Sequence, residues 1–297
     1  MPSPHRKFYE EPIAEFSPEI MSLFNRPDTI TRLDLSYQKL SFLPKQIKEC
    51  SRLTYLNLEG NNLARLPDEL GELQNLKTLY LGFNPELLSL NDKFRTLNFL
   101  QNLTNLEYLS LGNINKSKNN RPDELTICDI DFPANFQVSK KLKGLAIGCS
   151  LTEKVPDFIY QLPHLEELII SNPFPFYPLD FQFEKVSSKA TLEVLNLSKL
   201  SSLESFNLHI GEYNNLKSLS LGLLEPKGKL GGLLKLKKLE YLYIKIDEKL
   251  SKESNYYKII TIADYSMHKY RSNEPITENQ LKESLTEYNA FLEESND

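Results

Sequence analysis

The feature that most constrains this chain is a leucine pattern that recurs at a nearly constant spacing. Nine segments match L-x-x-L-x-L, with isoleucine allowed at an apolar place, and successive matches begin 23, 23, 30, 36, 23, 27, 24 and 23 residues apart. Of the 53 leucines in the chain, 50 lie between Leu23 and Leu250. A self-similar period of this length is typical of solenoids, in which each repeat is one structural unit. The nine segments begin at Ile30, Leu53, Leu76, Leu106, Leu142, Leu165, Leu192, Leu216 and Leu239.

Alternation within each unit indicates a strand. In L-x-L the two apolar side chains point to one face of a short strand, and the residue between them points to the other face. A unit of about 23 residues cannot bury its apolar face alone, so the units must stack into a parallel sheet over one continuous core. The pattern therefore predicts an α/β solenoid over residues 30–250, with about nine parallel strands.

The second unit carries a family resemblance. Its sequence, LTYLNLEGNNLARLPDELGELQN, resembles the leucine-rich repeat of the Ras-group type, whose LPxxI/L segment is matched by Leu66, Pro67 and Leu70. The resemblance implies a curved horseshoe with the strands on its concave face. It also implies a structural asparagine ladder at Asn61 and Asn84, whose amides would satisfy backbone groups where the chain leaves the strand. After the third unit the repeats become more irregular.

The two ends lack the repeat and are expected to cap the array. Residues 1–29 form the predicted N-terminal cap, with a short helix that begins at Ser17 and covers the open edge of the first strand. Residues 251–297 form the predicted C-terminal cap. Within it, residues 255–266 could add a last strand, and Thr277 begins a predicted amphipathic helix. A binding role for this helix is the alternative to capping.

One insertion is unusually aromatic. Residues 172–183 contain three prolines and five aromatic residues. Aromatic rings contribute most when they are buried, so we expect this segment to cover the convex side of the core. A protruding aromatic binding lobe is the alternative interpretation.

The sequence shows no set of residues for catalysis or metal binding. The four histidines are scattered without a partner at metal-ligand spacing, and the three cysteines form no C-x-x-C pair. There is no G-x-x-x-x-G-K-[ST] segment for binding phosphate. We therefore expect no enzymatic activity, no cofactor and no metal. Cys50 occupies an apolar place between Ile47 and Leu53 and is expected to fill the core.

Composition narrows the classes of partner. Asp and Glu (40) outnumber Lys and Arg (35), giving a net charge of −5, whereas a nucleic-acid-binding protein usually has a basic excess. No apolar run approaches the roughly 18 residues that span a bilayer. We therefore expect no nucleic-acid partner and no membrane span. The small, odd number of cysteines, three, fits a reducing compartment, so we also expect a cytoplasmic protein. Because the first residues contain no apolar signal-peptide core, the alternative is secretion into a host cell without a Sec signal.

The residues between the core leucines would project from the concave face. Aromatic side chains there, in four successive units, predict one aromatic patch suited to anchoring a protein partner. The alternative is that neighbouring rings only stack on each other along the sheet. The small side chains of Gly144, Ala146 and Gly148 would leave a shallow step beside the patch. The candidate partner-binding residues are Arg32, Asp34, Tyr37, Tyr55, Asn57, Tyr80, Phe83, Tyr108, Tyr241 and Tyr243.

The sequence therefore predicts a monomeric, non-enzymatic protein-interaction module that binds a partner protein through its concave face. Similar Ras-group proteins act as signalling scaffolds for small GTPases, kinases and phosphatases, and the resemblance implies a partner of that kind. The alternative function is an adaptor, or a translocated bacterial effector, in which the repeats select a host or substrate protein for an enzymatic assembly.

Overall fold

The computed structural model describes residues 25–84, 87, 97–112, 132, 136–148, 155–171, 179–200, 204–224, 230–249 and 257–264, and the isolated positions 277, 279, 282, 283 and 286. The helix predicted to begin at Ser17 lies outside these residues. The predicted C-terminal helix also lies outside them, apart from the isolated positions.

The strands form one ten-stranded sheet in which neighbours in space are also neighbours in sequence. The first nine are parallel to one another, which confirms the predicted solenoid. The strands are Arg32–Asp34 (β1), Tyr55–Asn57 (β2), Thr78–Tyr80 (β3), Tyr108–Gly112 (β4), Gly144–Gly148 (β5), Glu167–Ser171 (β6), Val194–Leu200 (β7), Ser218–Leu224 (β8), Tyr241–Lys249 (β9) and Tyr257–Asp264 (β10).

The repeat register places equivalent leucines side by side. The leucine at the fourth place of each unit pairs in register with the same place in the next unit, across all nine parallel strands. Each of these side chains is at most 3% exposed, and each such burial stabilises the fold by about 1.5–3 kcal/mol. The row consists of Leu33, Leu56, Leu79, Leu109, Leu145, Leu168, Leu195, Leu219 and Leu242.

The last strand runs the other way. The sequence predicts that residues 255–266 could add a strand, and β10 forms there, but it pairs antiparallel with β9. Only residues 250–256 connect the two strands. A parallel pair needs a crossover connection of roughly a dozen residues or more, so a connection this short can only reverse the chain.

Behind the sheet, the chain returns to the next strand through short helices. The segments Leu43-Pro44 and Leu66-Pro67 each precede a 3₁₀-helix, in which Ile47 N–H donates to Pro44 C=O and Leu70 N–H donates to Pro67 C=O, both at 3.0 Å. No helix in the described part of the chain is long and apolar enough to cross a membrane. The 3₁₀-helices are Pro27–Thr29, Lys45–Glu49, Asp68–Glu72, Asn98–Asn102, Phe183–Lys185, Ile210–Glu212 and Gly231–Lys235, and two short α-helices span Asp157–Tyr160 (α1) and Glu204–His209 (α2).

The end of the aromatic insertion belongs to the core. Phe181 and Phe183 are buried, and their ring centroids lie 4.8 Å apart. Phe183 also packs edge-on against Phe206 and Tyr213, at 5.3 and 6.1 Å. The prediction that this segment covers the core is confirmed for these two rings, whereas residues 172–178 lie outside the described residues.

Cys50 fills the core as expected from its place in the repeat. Its side chain is fully buried among the leucines of the first two units. Burial raises the pKa of the thiol to about 11, with a smaller contribution from Glu49. The thiol is therefore protonated at neutral pH and packs as a small apolar group.

Candidate functional site

The face of the sheet opposite the leucine core, which we call the concave face, carries the side chains at the third and fifth places of each unit. In β1 the exposed Arg32 and Asp34 flank the buried Leu33. In β3 the half-buried Thr78 and Tyr80 flank Leu79 in the same way. This alternation is the direct consequence of the two-residue period of a strand.

A cation and two aromatic rings are in contact across β1, β2 and β3. The guanidinium carbon of Arg32 lies 3.4 Å from the centroid of the Tyr55 ring. The Tyr55 and Tyr80 ring centroids lie 5.8 Å apart with an interplanar angle of 82°. Both are favourable geometries, because a ring carries negative charge on its face and positive charge at its edge. We call these three residues the concave aromatic row.

The other aromatic pair lies where the strands end. The rings of Tyr37 and Phe83 have centroids 6.4 Å apart, although one whole unit, that of β2, lies between theirs. Gly60 occupies the equivalent eighth place in the unit between them, and all three residues have left-handed backbone with φ of 54° to 69°. Among the candidate binding residues, the described ring contacts therefore form two groups, one on the strand faces and one at the strand ends, in place of the predicted single patch.

Two of the candidate binding residues also stabilise the turns that follow their strands. The Asp34 carboxylate accepts hydrogen bonds from the Ser36 backbone N–H at 3.1 Å and the Ser36 hydroxyl at 2.7 Å. Burial opposes ionisation of Asp34, but these hydrogen bonds outweigh it and lower the carboxyl pKa. Asn57 is buried, and its side-chain oxygen accepts from the Glu59 N–H at 3.0 Å. Asn57 is therefore less accessible to a binding partner than its place on the strand predicts.

A shallow depression of ≈ 180 Å³ lies on the concave face between β2 and β6. Its floor is formed by the small residues Gly144 and Ala146, two of the three residues of the predicted step; Gly148, the third, is not among the residues that line it. The Tyr108 ring lies over this floor, so close that a β-carbon added to Gly144 would come within 2.6 Å of it. We call this feature the tyrosine depression; its side chains include Tyr80, Tyr108, Glu59 and Glu167.

The tyrosine depression is negatively charged. The pKa of Tyr80 is raised, first by burial and then by the neighbouring Tyr55, Glu167 and Glu59. Among the described residues, the carboxylate of Glu167 has no hydrogen-bond or ion-pair partner. None of the described residues that line the depression is a lysine, arginine or histidine.

Lys77 and Lys143 directly precede β3 and β5, in a row of charges at the starts of the strands. Lys77 contacts Glu107 at 2.9 Å, and Lys143 contacts the other oxygen of the same carboxylate at 3.6 Å. The hydrogen bond from Lys77 is the main reason that the Glu107 pKa is lowered. These lysines are therefore engaged with Glu107 and do not pair with the carboxylate of Glu167.

Asn61 and Asn84 make the hydrogen bonds that the repeat resemblance implies. The Asn61 amide donates to Leu35 C=O and Leu58 C=O, both at 2.8 Å, and its oxygen accepts from two backbone N–H groups of the first unit at 3.0 Å. The Asn84 amide donates to Leu58 C=O and Leu81 C=O at 2.9 and 3.0 Å. Both side chains are buried, so their role is to hold the strand ends in register.

Two of the candidate residues lie elsewhere. Tyr241 and Tyr243 are on β9, five strands from β4, a separation on the order of 20 Å at the usual spacing of strands. Glu167 and Ile169, in contrast, line the tyrosine depression but are absent from the sequence-predicted set. They occupy the third and fifth places of the sixth unit, so the same periodicity would have identified them.

Within the described residues, no group of three or more His, Cys, Asp or Glu side chains is arranged to hold a metal ion.

Comparison with known proteins identifies the class of this fold. No family model matches the chain. An internalin from Listeria monocytogenes aligns over 76% of this chain and 64% of its own, with a TM-score of 0.50 and 18% identity. A TDR receptor aligns over 76% of this chain and 41% of its own, with a TM-score of 0.50 and 21% identity. Together with nine parallel strands in repeat register and curated relatives named for the same repeat, this decides the class. The chain is a leucine-rich repeat protein.

Similarity to curated proteins covers shorter parts of this leucine-rich repeat protein. It is 44% identical over 52 residues, 18% of its length, to a leucine-rich repeat protein soc-2 homolog of Drosophila grimshawi. It is 32% identical over 145 residues, 47% of its length, to an adenylate cyclase of Schizosaccharomyces pombe. Each match spans 8% of the curated protein, so the similarity covers only a small part of that protein's length.

Proposed function

We propose that this leucine-rich repeat protein is a non-enzymatic interaction module that binds a partner protein through the concave face of β1–β6. The observation that carries the proposal is the concave aromatic row next to the tyrosine depression. Solenoids generally use their extended concave surface for binding. The concave aromatic row consists of arginine and tyrosine, which are enriched among the residues that contribute most to the binding energy of protein interfaces.

Rigidity supports the same proposal. Tyr55, Tyr80 and Tyr108 each lie next in sequence to a buried leucine of the in-register row, Leu56, Leu79 and Leu109. Tyr55 and Tyr80 are further held by their edge-on contact, and Tyr55 also by Arg32. Side chains that are already ordered lose less conformational entropy on binding, so a partner gains more from contacting them.

The rings of Tyr55 and Tyr80 contact each other and remain partly accessible to a partner. The tyrosine depression favours binding, because a ladder of stacked side chains would leave no open volume between β2 and β6. By analogy with similar Ras-group proteins, we expect a small GTPase, kinase or phosphatase as partner, with the module acting as a monomeric cytoplasmic signalling scaffold. The adenylate cyclase match covers only 8% of that enzyme and gives no ground for proposing cyclase activity.

The proposal is tested by comparing two triple variants in protein capture. In the concave variant, Tyr55, Tyr80 and Tyr108 are each replaced by Ala. In the control variant, the exposed residues Arg65, Gln101 and Leu208, which lie away from the concave face, are each replaced by Ala.

Proteins captured from a lysate are quantified for wild type and both variants, after circular dichroism has shown that all three remain folded. We expect a set of proteins that wild type and the control variant retain and the concave variant loses by at least about tenfold, since truncation of a single anchor costs roughly 2 kcal/mol or more. Equal capture by wild type and the concave variant would overturn the proposal.

A further inference from the structure

The tyrosine depression has a size and charge that select its occupant. Its volume, ≈ 180 Å³, is below the roughly 300–1,000 Å³ of typical small-molecule sites. It therefore suits a single side chain inserted by a larger partner. Two tyrosine rings and two carboxylates surround this volume, over a floor of glycine and alanine.

The chain itself shows how such a surface binds a cation. On the neighbouring strands, the guanidinium of Arg32 lies over the Tyr55 ring at 3.4 Å. The attraction arises because the face of the ring carries negative charge, and it increases when both groups are partly removed from water. Tyr80 on β3 and Tyr108 on β4 offer the same kind of ring, beside the carboxylate of Glu167.

Glu167 makes the depression favour a cationic ligand over an anionic or neutral one. It is half-buried and carries its charge into a site where no described residue pairs with it. An unpaired, partly desolvated carboxylate disfavours an anionic ligand and gains from a cationic one. An aliphatic or neutral polar side chain would fill the volume but leave this charge uncompensated.

We infer that the tyrosine depression is the subsite for an arginine or lysine side chain of the partner protein, which inserts between Tyr80 and Tyr108 and pairs with Glu167. The inference rests on the proposed function, since the side chain comes from the partner bound to the concave face. It adds that the partner must present an arginine or lysine on the surface that contacts the concave face.

The probe for this inference is N-acetyl-L-arginine amide, with the nearly isosteric but neutral N-acetyl-L-citrulline amide as its control. Backbone amide resonances of Gly144 and Ala146 report directly on the floor of the depression in the ¹⁵N-labelled full chain. We expect saturable shifts of these resonances with the arginine compound, and a Kd at least about fivefold higher with the citrulline compound. A factor of five is what loss of about one charge-assisted contact gives.

Two variants locate the charge that matters. Glu167→Gln removes the carboxylate in the depression, and Glu166→Gln removes an exposed carboxylate on the preceding residue. We expect the first to raise the Kd of the arginine compound about fivefold and the second to change it less than twofold. Unmoved resonances, equal binding of the two compounds by wild type, or equal effects of the two variants would each overturn the inference.

Failure of the inference is distinguishable from failure of the proposed function. If the concave variant loses its captured proteins while the arginine compound leaves Gly144 and Ala146 unmoved, the concave face binds a partner but the cation subsite is wrong. If the compound binds as expected while the concave variant captures the same proteins as wild type, the subsite exists but the partner binds on another surface.

Discussion

The ring of Tyr37 lies directly over Gly60, so closely that a β-carbon added to the glycine would overlap the ring. Gly60 also has φ +69°, a conformation that other residues adopt at a cost. Both facts concern the same place in the repeat, where the chain leaves each strand. The contact ties the end of β1 to the end of β2.

Gly60→Ala is therefore expected to destabilise the fold. The left-handed backbone alone costs about 1–2 kcal/mol for a residue with a β-carbon, and displacement of the Tyr37 ring adds to this. Chemical unfolding with urea measures the loss. Gly231→Ala is the matched control, because nothing lies within 4 Å of a β-carbon at that position, and we expect a change of less than about 0.5 kcal/mol.

A second variant separates the two contributions to the Gly60 effect. In a chain that also carries Tyr37→Ala, the ring is absent and only the backbone cost remains. Gly60→Ala should then cost less than it does in the wild-type background. Equal costs in the two backgrounds would show that the ring contact contributes nothing.

Asn61→Ala is expected to be among the most destabilising single changes in the first two units. It removes a buried side chain that bonds two backbone carbonyls and two backbone N–H groups. A buried polar group left without a partner costs roughly 1–3 kcal/mol, so we expect a total loss of about 2–4 kcal/mol in the free energy of unfolding. The neighbouring exposed Asn62→Ala should change it by less than about 0.5 kcal/mol; similar losses for both would contradict the ladder role.

Tyr213→Phe tests the polar contact inside the aromatic cluster. The Tyr213 hydroxyl is buried and donates to Phe183 C=O at 2.8 Å. Removing it leaves that carbonyl without this bond, so we expect a loss of about 1–2 kcal/mol in the free energy of unfolding. Tyr37→Phe removes the same atom from a ring that is 63% exposed and should be nearly neutral. The reverse order of the two effects would contradict the assignment.

The charge row at the strand starts predicts a dependence on pH. Because the Glu107 pKa is lowered in the folded chain, its ionised form stabilises the fold at pH values above its ordinary pKa of 4.5. This contribution is lost as the pH falls through the lowered folded-state value. The free energies of unfolding of wild type and Glu107→Gln should therefore differ most near neutral pH and converge in acid.

The Glu107 difference is expected to be small, because the carboxylate is near the surface, and to shrink further in 1 M salt. Urea unfolding of wild type and variant at neutral and acidic pH, with and without salt, measures it. A difference that grows as the pH falls would mean that the ion pairs with Lys77 and Lys143 do not stabilise the fold.

Most of the architecture could be predicted from the period of the leucines. Leu33, Leu56 and Leu79 must share one face if their units stack, and the sheet register follows from that requirement alone. Asn61 and Asn84 were identifiable because their spacing from those leucines is constant. The direction of β10 was not predicted, because alternation of apolar residues is the same in either direction and only the short connection after β9 decides it.

The site was only partly predictable. The tyrosine depression brings Tyr80 and Glu167 together although 87 positions separate them in the chain, and stacking of units three to six explains their proximity. The division of the aromatic residues was not predictable in the same way. It depends on Tyr37 and Phe83 adopting left-handed backbone, which aromatic residues rarely do, and only Gly60 at the equivalent place indicated that conformation.

The most direct test of concave-face binding is photo-crosslinking from a single defined position. Thr78 lies in register between Tyr55 and Tyr108, and a benzoylphenylalanine placed there faces the surface that we propose binds the partner. The same residue placed at Gln101, in the 3₁₀-helix Asn98–Asn102 behind the sheet, is the control. We predict cross-linked partner protein from position 78 and none from position 101; cross-linking from position 101 alone would show that the partner binds the opposite side of the solenoid.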